Sequence, residues 1–321
     1  MMPSIITITF NPALDKSVTV EALIPEKKLK CTSPIYEPGG GGINVARAIM
    51  KLGGSAVACF LAGGDAGKEI GRLLADEQVG TMVTEIDGKT RENLVVFENS
   101  VQVQYLFDMP GPKITEEEVS AFLHRIELVK GVKFIVASGS LPDSVPVDVF
   151  ARIARIAKRK GAKLIVDTSG DALNLALQEG VYLIKPNLRE LALLVGEETL
   201  EPEHAVDFAR ELIDSGGSEV IVVSMGALGA LMVTKTDVLK ITPPELDIKS
   251  TVGAGDSLVA GIVLSLEEGK SIEDAVRYGV ACGSAATLKP GTQLCSKTDA
   301  DGIFEMMQNK TDVKPVTLAT R

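Results

Sequence analysis

The chain has 321 residues, 45% of them apolar, with 31 glycines and no tryptophan, which suits one large α/β domain or such a domain with a small appendage. Its 33 basic and 43 acidic side chains leave a net charge of −10, which argues against nucleic acid and anionic membranes as partners. No apolar run approaches the ~18 residues needed to span a bilayer, and Met1 to Ile8 show neither the charged region nor the cleavage site of a signal peptide, so a cytoplasmic protein is expected.

In chain order, Ile5 to Phe10 is a β-branched run that predicts a buried strand. Further strand-like runs are Ala56–Leu61, Phe134–Ala137, Lys163–Val166, Tyr182–Ile184 and Val220–Ser224. Helix-period segments fall between them at Ile43–Leu52, Gly67–Asp76, Glu116–Val129, Pro146–Lys160 and Glu203–Asp214. Strands alternating with helices call for a mostly parallel sheet covered on both faces, with right-handed crossovers and ligands at the carboxyl ends of the strands.

Two segments break the alternation. Residues 16–37 hold two strand-like pieces, Ser17–Val20 and Ser33–Tyr36, and residues 91–108 read as a hairpin of Asn93–Glu98 and Val101–Phe107. Together they predict a small four-stranded flap set into an α/β core of residues 1–15, 38–90 and 109–321. A sheet face this apolar needs a cover, and a second copy of the chain would supply it, so a homodimer through the flap is expected. From Pro243 onward the pattern is helical: Gly255–Glu268, Ser271–Leu288 and Asp299–Gln308.

The cysteines Cys31, Cys59, Cys282 and Cys295 lack metal-ligand spacing, and the histidines His124 and His204 lie in charge-rich helical segments. An acid–base catalyst here would be a carboxylate. The most informative stretch is Ser250-Thr251-Val252-Gly253-Ala254-Gly255-Asp256-Ser257. There a strand-like, Pro-punctuated segment gives way to a glycine turn and an apolar helix. Such a turn aims backbone N–H groups at one point under the positive end of the helix dipole, and an acid placed there can take a proton from a hydroxyl while the amides hold a phosphoryl group. An ordinary turn with an acidic first-turn residue has the same spelling.

Other stretches have two readings each. Gly39-Gly40-Gly41-Gly42 runs into a helix carrying Asn44; it is a flexible hinge, a ligand-touching backbone, or both. Asn187 with Glu190 is a capping box, or a pair beside a hydrated Mg²⁺. Ser224 to Gly229 is a plain turn or a phosphate holder. Lys27, Lys28 and Lys30 are a solvated turn or, with Arg91, an anion pocket. Asp15 and Ser140 follow strands at the ligand edge. Gathered on one rim, these residues form what a kinase without a P-loop requires.

With those residues the chain resembles the PfkB branch of the ribokinase-like carbohydrate kinases, from Thr7-Ile8-Thr9-Phe10-Asn11-Pro12-Ala13-Leu14-Asp15 to Gly291-Thr292. The glycine–Asp256 turn is the most specific motif, followed by Gly-Gly-Ile-Asn-Val-Ala at 41–46 and Lys-Pro-Asn-x-x-Glu at 185–190. The resemblance implies a three-layer α/β/α ribokinase-like core with a β-sheet lid, ATP and Mg²⁺ as cofactors, and a phosphosugar as acceptor. It implies Asp256 as base and the amides of Gly253, Ala254, Gly255 and Asp256 as anion hole. Asp15, Gly39, Gly40, Asn44 and Ser140 would bind the sugar, and Lys28 and Arg91 its phosphate. Lys185, Asn187, Arg189, Ser224, Gly226 and Gly229 would line the ATP site, and Asn187 and Glu190 would hold Mg²⁺, partly through water. Backbone carbonyls near Ser250, Val252, Ala286 and Gly291 would take K⁺, with Lys289 and Gln293 beside them and the lysine a rival for that site.

Residues 31–54 and 291–296 are most like the branch acting on fructose 6-phosphate, giving fructose 1,6-bisphosphate in glycolysis. Relatives acting on fructose 1-phosphate usually carry lysine where this chain has Gly41. Tagatose 6-phosphate or fructose 1-phosphate as acceptor, and a catalytically inactive sugar-phosphate sensor, are the alternatives.

Overall fold

A computed structural model describes residues 3–289 and 291–309. The elements run β1 (Ile5–Thr9), β2 (Ala13–Val20), β3 (Ile35–Gly39), α1 (Gly41–Lys51), β4 (Val57–Ala62), α2 (Gly64–Asp76), β5 (Gly80–Glu85), β6 (Arg91–Glu98) and β7 (Val103–Phe107). They continue α3 (Glu116–Leu128), β8 (Phe134–Ser138), α4 (Val149–Lys160), β9 (Lys163–Asp167), α5 (Gly170–Glu179), β10 (Val181–Ile184), α6 (Leu188–Leu194) and α7 (Ala205–Asp214). The last are β11 (Ser218–Ser224), β12 (Ala230–Thr234), β13 (Val238–Ile241), α8 (Ala254–Glu267), α9 (Ile272–Thr287) and α10 (Lys297–Asn309).

Nine strands form the main sheet in the order β13-β12-β11-β10-β9-β8-β1-β4-β5, parallel from β5 to β11 with an antiparallel hairpin at one edge. Alternating side chains of each strand feed two apolar layers. In β1, Ile5 packs with α1, α2, α8 and α9, while Ile6 and Ile8 pack with α3, α4 and α5. Phe10, buried just past β1, meets Phe122 and Phe150 edge-on at ring distances of 5.3 and 5.9 Å. Such burial stabilises by roughly 1.5–3 kcal/mol per large side chain. This is the expected three-layer core.

The chain leaves β1 toward β4 on one side and later returns to β8 on the other, so β1 and β8 flank the point where strand order reverses. Loops diverge there and open a crevice at the carboxyl ends. The four-stranded lid, in the order β3-β2-β6-β7, stands over that crevice. Its strands β2 and β3 extend beyond the expected pieces, so that Asp15 and Gly39 lie within the lid sheet.

Several elements escaped the sequence pattern. The strand β5 is a half-exposed edge, α5 and α6 are short, and β12 and β13 form a hairpin that closes the sheet. The strand-like segment before the glycine turn is irregular from 242 to 250. Its Pro243 and Pro244 cannot donate to a ladder.

Candidate active site

The helix α8 begins at Ala254, with Gly253 as its N-cap at φ 75, a left-handed conformation suited to glycine. No side chain caps this helix. The Ala254 amide turns back to the Thr251 carbonyl at 3.3 Å, whereas those of Gly253, Gly255 and Asp256 have no partner among the described residues. Three amides of the turn are therefore free of protein partners among the described residues, and that of Ala254 is engaged. Asp256 lies in this first turn, and its Oδ2 accepts from Asn44 Nδ2 at 3.0 Å. Burial pushes its carboxyl up to about 7 and Asp167 adds to the rise, against the pull of Asn44, Lys185 and Arg47.

Lys185, at the end of β10, is buried and pairs with Asp167 at the end of β9, Nζ to Oδ1 3.1 Å. Burial alone would depress the ammonium, but Asp167, with Glu190 and Asp256, outweighs it and holds the group above its ordinary value. A Cβ on Gly255 would lie 3.4 Å from Lys185 Nζ, so a fixed positive charge faces the glycine turn.

The second cluster lies under the lid. Asp15 Oδ1 accepts from Asn93 Nδ2 at 3.0 Å. Burial raises its carboxyl to about 6, partly offset by Asn93 and Arg91. Gly39 stands opposite, where a Cβ would lie 2.3 Å from Asp15 Oδ2. Ser140 accepts from Asn11 Nδ2 at 3.1 Å, which links the ends of β1 and β8. Arg91 reaches this cluster through Nη2 to the Asn11 carbonyl at 3.1 Å, and its other terminal nitrogen pairs with Asp108 at 2.5 Å. At Gly41 a Cβ would lie 2.3 Å from Ser138 Oγ, so a side chain at this position requires Ser138 to move.

A cleft of about 540 Å³ opens beside the glycine turn, lined by Ser224, Gly226, Gly229, Leu246, Val280 and Gly255 among others. Its apolar walls with a polar end suit a heterocyclic base and phosphates. The turn after β11 is a short 3₁₀ helix, Gly226–Leu228, closed by Met225 N donating to the Gly229 carbonyl at 2.8 Å. Asn187 bridges to Ser224 at this wall.

Asn187 and Glu190 form the capping box in full: Asn187 Oδ1 accepts the Glu190 amide at 2.8 Å, and Glu190 Oε2 accepts the Asn187 amide at 2.9 Å. Glu190 Oε1 has no hydrogen-bond partner among the described residues. Among the described residues no three His, Cys, Asp or Glu converge as a metal cage. Near the expected monovalent site, Ser250 Oγ donates to the Gly291 carbonyl at 2.7 Å and Lys289 pairs with Asp299 at 2.7 Å.

Lys28 is exposed in the loop between β2 and β3, and Arg189 is exposed on α6, neither making an ion pair among the described residues. Asp167, Asn11 and Arg47, which the sequence pattern does not single out, contact the candidate residues Lys185, Ser140 and Asn44 respectively. Asp167 ends a strand run next to the ligand edge, the one signal that could have flagged it. Asn11 lies within the Thr7–Asp15 stretch, and Arg47 directly follows the 41–46 motif.

A parallel sheet with a switch-point crevice, a lid and an acid on a glycine-capped helix defines a sugar-kinase architecture without a P-loop. The pfkB family carbohydrate kinase model matches residues 6–299, and the chain belongs to this family. It is 44% identical over 304 residues to the ATP-dependent 6-phosphofructokinase isozyme 2 of Escherichia coli, covering 94% of this chain and 98% of the relative. Against 1-phosphofructokinase of Bacillus subtilis the identity is 34% over 287 residues, 88% of this chain and 92% of the relative. Solved structures of E. coli phosphofructokinase-2 superpose with TM-scores of 0.92 for a potassium complex and 0.90 for a fructose-6-phosphate complex. Identities are 43% and 42%, covering 96% of this chain and 100% of theirs. A tetrameric inhibited form of that protein matches at TM-score 0.90, 43% identity and the same coverage.

Proposed function

We propose that the protein transfers the γ-phosphoryl group of ATP to the 1-hydroxyl of fructose 6-phosphate, giving fructose 1,6-bisphosphate and ADP. The observation that carries this reading is Asp256 in the uncapped first turn of α8, hydrogen-bonded to Asn44 between the nucleotide cleft and the lid. The sugar oxygen attacks phosphorus as the bond to the β,γ-bridging oxygen breaks. Asp256 accepts the hydroxyl proton late in this transfer, while the Gly253, Gly255 and Asp256 amides and Lys185 hold the phosphoryl oxygens.

Asp15 and Asn44 orient the sugar hydroxyls, with the Gly39–Gly40 backbone and Ser140 alongside. Arg91 and Lys28, both on lid segments, receive the existing phosphate, for which Arg91 would exchange its Asp108 partner. Mg²⁺, when bound, neutralises charge on the phosphates, with Glu190 and Asn187 supporting its water shell. Backbone carbonyls of Ser250, Val252, Ala286 and Gly291 are the candidates for a monovalent cation. Lys289 is occupied by Asp299, which favours a diffusible ion over the lysine in that place. Fructose 6-phosphate as acceptor is favoured by the similarity to E. coli phosphofructokinase-2 and by the crowding of Gly41 against Ser138, where lysine would not fit unaided.

The lid exposes apolar side chains on both faces: Ile35 at 64% and Leu106 at 56% stand in one row with Ser17 and Val95, and Tyr36 and Phe107 in the next row with Lys16 and Leu94, on the opposite face. Two copies joined through these lids form the dimer in this reading. The test of the acceptor is an initial-rate comparison with Mg-ATP and fructose 6-phosphate, fructose 1-phosphate, tagatose 6-phosphate or free fructose. The highest kcat/KM is expected for fructose 6-phosphate. Preference for another phosphosugar overturns the acceptor, and turnover of none overturns the activity.

A further inference from the structure

Arg47 is 3% exposed, yet no step of the transfer above uses it. Its guanidinium is held by a bidentate pair with Glu77, Nε to Oε2 2.9 Å and Nη2 to Oε1 2.7 Å. Nη1 donates to the Pro38 carbonyl at 2.9 Å and to Asn44 Oδ1 at 3.4 Å. Glu37, at the end of the lid, lies 3.6 Å from Nη2 and accepts the Thr292 hydroxyl. Lid strand β3, helices α1 and α2 and the loop after α9 therefore meet at one buried cation. Burying an ion seldom stabilises a fold over an apolar residue of the same size, so its chemistry invites a second role.

That role follows from the two ends of the Asn44 amide. They are nearly identical in shape and opposite in polarity. The ionised Asp256 carboxylate only accepts, and the Arg47 guanidinium only donates. One orientation, nitrogen toward Asp256 and oxygen toward Arg47, satisfies both, and the flipped orientation opposes like to like at both ends. Asn44 and Arg47 are three residues apart on α1, on one face of the helix. We infer that Arg47 is a positioning residue of the transfer site, clamped by Glu77 so that it fixes the Asn44 oxygen and directs the Asn44 amide nitrogen at Asp256. The importance of this for turnover rests on the reading of Asp256 as base; the orientation itself does not.

Removing Arg47 alone strands its bidentate partner Glu77, so the variant to use is the combined Arg47→Met/Glu77→Gln, which removes both ends of the clamp and leaves Glu37 its Thr292 hydroxyl. In the full-length protein the Asn44 side-chain ¹⁵N–¹H₂ resonances, identified by their loss in Asn44→Ala, are expected to be protected from solvent exchange in wild type. They should become free in the combined variant while the dispersion of the other amides is kept. Unchanged Asn44 resonances in the folded variant would overturn the inference, whether or not the protein proves to phosphorylate a sugar. If the combined variant does not fold, Arg47→Lys is measured in the same way. The single lysine ammonium cannot hold the Glu77 fork and the Asn44 oxygen together, so retained protection in it overturns the inference too.

In the rate assay with Mg-ATP and fructose 6-phosphate, the combined variant is expected to lower kcat roughly as far as Asn44→Ala, on the order of tenfold. Adding it to Asn44→Ala should lower kcat no further, because both act through one amide. Losses that multiply instead would mark Arg47 as merely structural.

Discussion

Asn44 Nδ2 and Asp256 Oδ2 lie 3.0 Å apart although 212 positions separate them in the chain. The bond joins the first turn of α1, reached through the glycine run, to the first turn of α8. It therefore links the lid-side cluster around Asp15 to the cleft beside the glycine turn. Two helices starting at the same point also add their positive ends there, which suits a group that must lose a proton in a buried place.

The carboxyl of Asp256, held up to about 7 by burial and Asp167, predicts the pH dependence of turnover. The base must be ionised, so kcat should fall as pH drops through about 7 and level off above it. A pH–rate profile with saturating substrates checks this. A flat profile down to pH 5.5, about 1.5 units lower, would remove Asp256 as the titrating base.

The same shift has an opposite sign for stability. A carboxyl whose folded value is raised contributes stability only while protonated, and loses it as pH rises through the folded value. Asp256→Asn should therefore be more stable than wild type at pH 8, by on the order of 1–2 kcal/mol, and the difference should shrink toward pH 5. Denaturant melts at the two pH values decide the matter. Equal stability at both would mean the carboxylate is not paying a burial cost.

Gly39→Ala places a methyl group 2.3 Å from Asp15 Oδ2. Either the carboxylate or β3 must shift, at a cost of about 1–3 kcal/mol. Phosphosugar affinity should drop at least about tenfold, by the loss of roughly 1.4 kcal/mol of oriented contact, with ATP affinity unchanged. Calorimetric titration with each ligand separates the two effects.

For Arg91→Ala we expect KM for the phosphosugar to rise by on the order of a hundredfold, the effect of losing a charge-assisted contact of about 3 kcal/mol. KM for ATP should change little. Equal increases for both would place Arg91 outside the sugar site.

Leu106→Lys puts a charge at an exposed lid position that belongs to neither core cluster. Sedimentation velocity should then show the mass of a single chain at concentrations where wild type is paired. An unchanged assembly would move the interface elsewhere.

The core was legible because its strands are short apolar runs and its long helices repeat at helical spacing. Ile5 to Phe10 and 116–128 are recoverable from period alone. The edge strand β5 and the hairpin β12–β13 were not, since a half-exposed or closing strand looks like a loop of mixed polarity. In the site, Asp256, Asn44, Asp15 and Gly39 are visible because glycine and acid at a strand or helix end have a physical reason to be there. Asp167 was hidden because its meaning is its ion pair with Lys185, which only the adjacency of β9 and β10 creates. Arg47 was hidden because a basic residue inside an apolar helix gives no sign of whether its charge faces water or two partly buried carboxylates.

The measurement that bears most directly on the central claim is turnover and fructose 6-phosphate binding in Asp256→Asn, compared with wild type. Loss of kcat by roughly 10²–10⁴, the range for removing a general base, with binding within a few-fold of wild type, is the predicted result. Turnover within about tenfold of wild type would contradict it, and the proton would have to leave by a route that does not pass through Asp256.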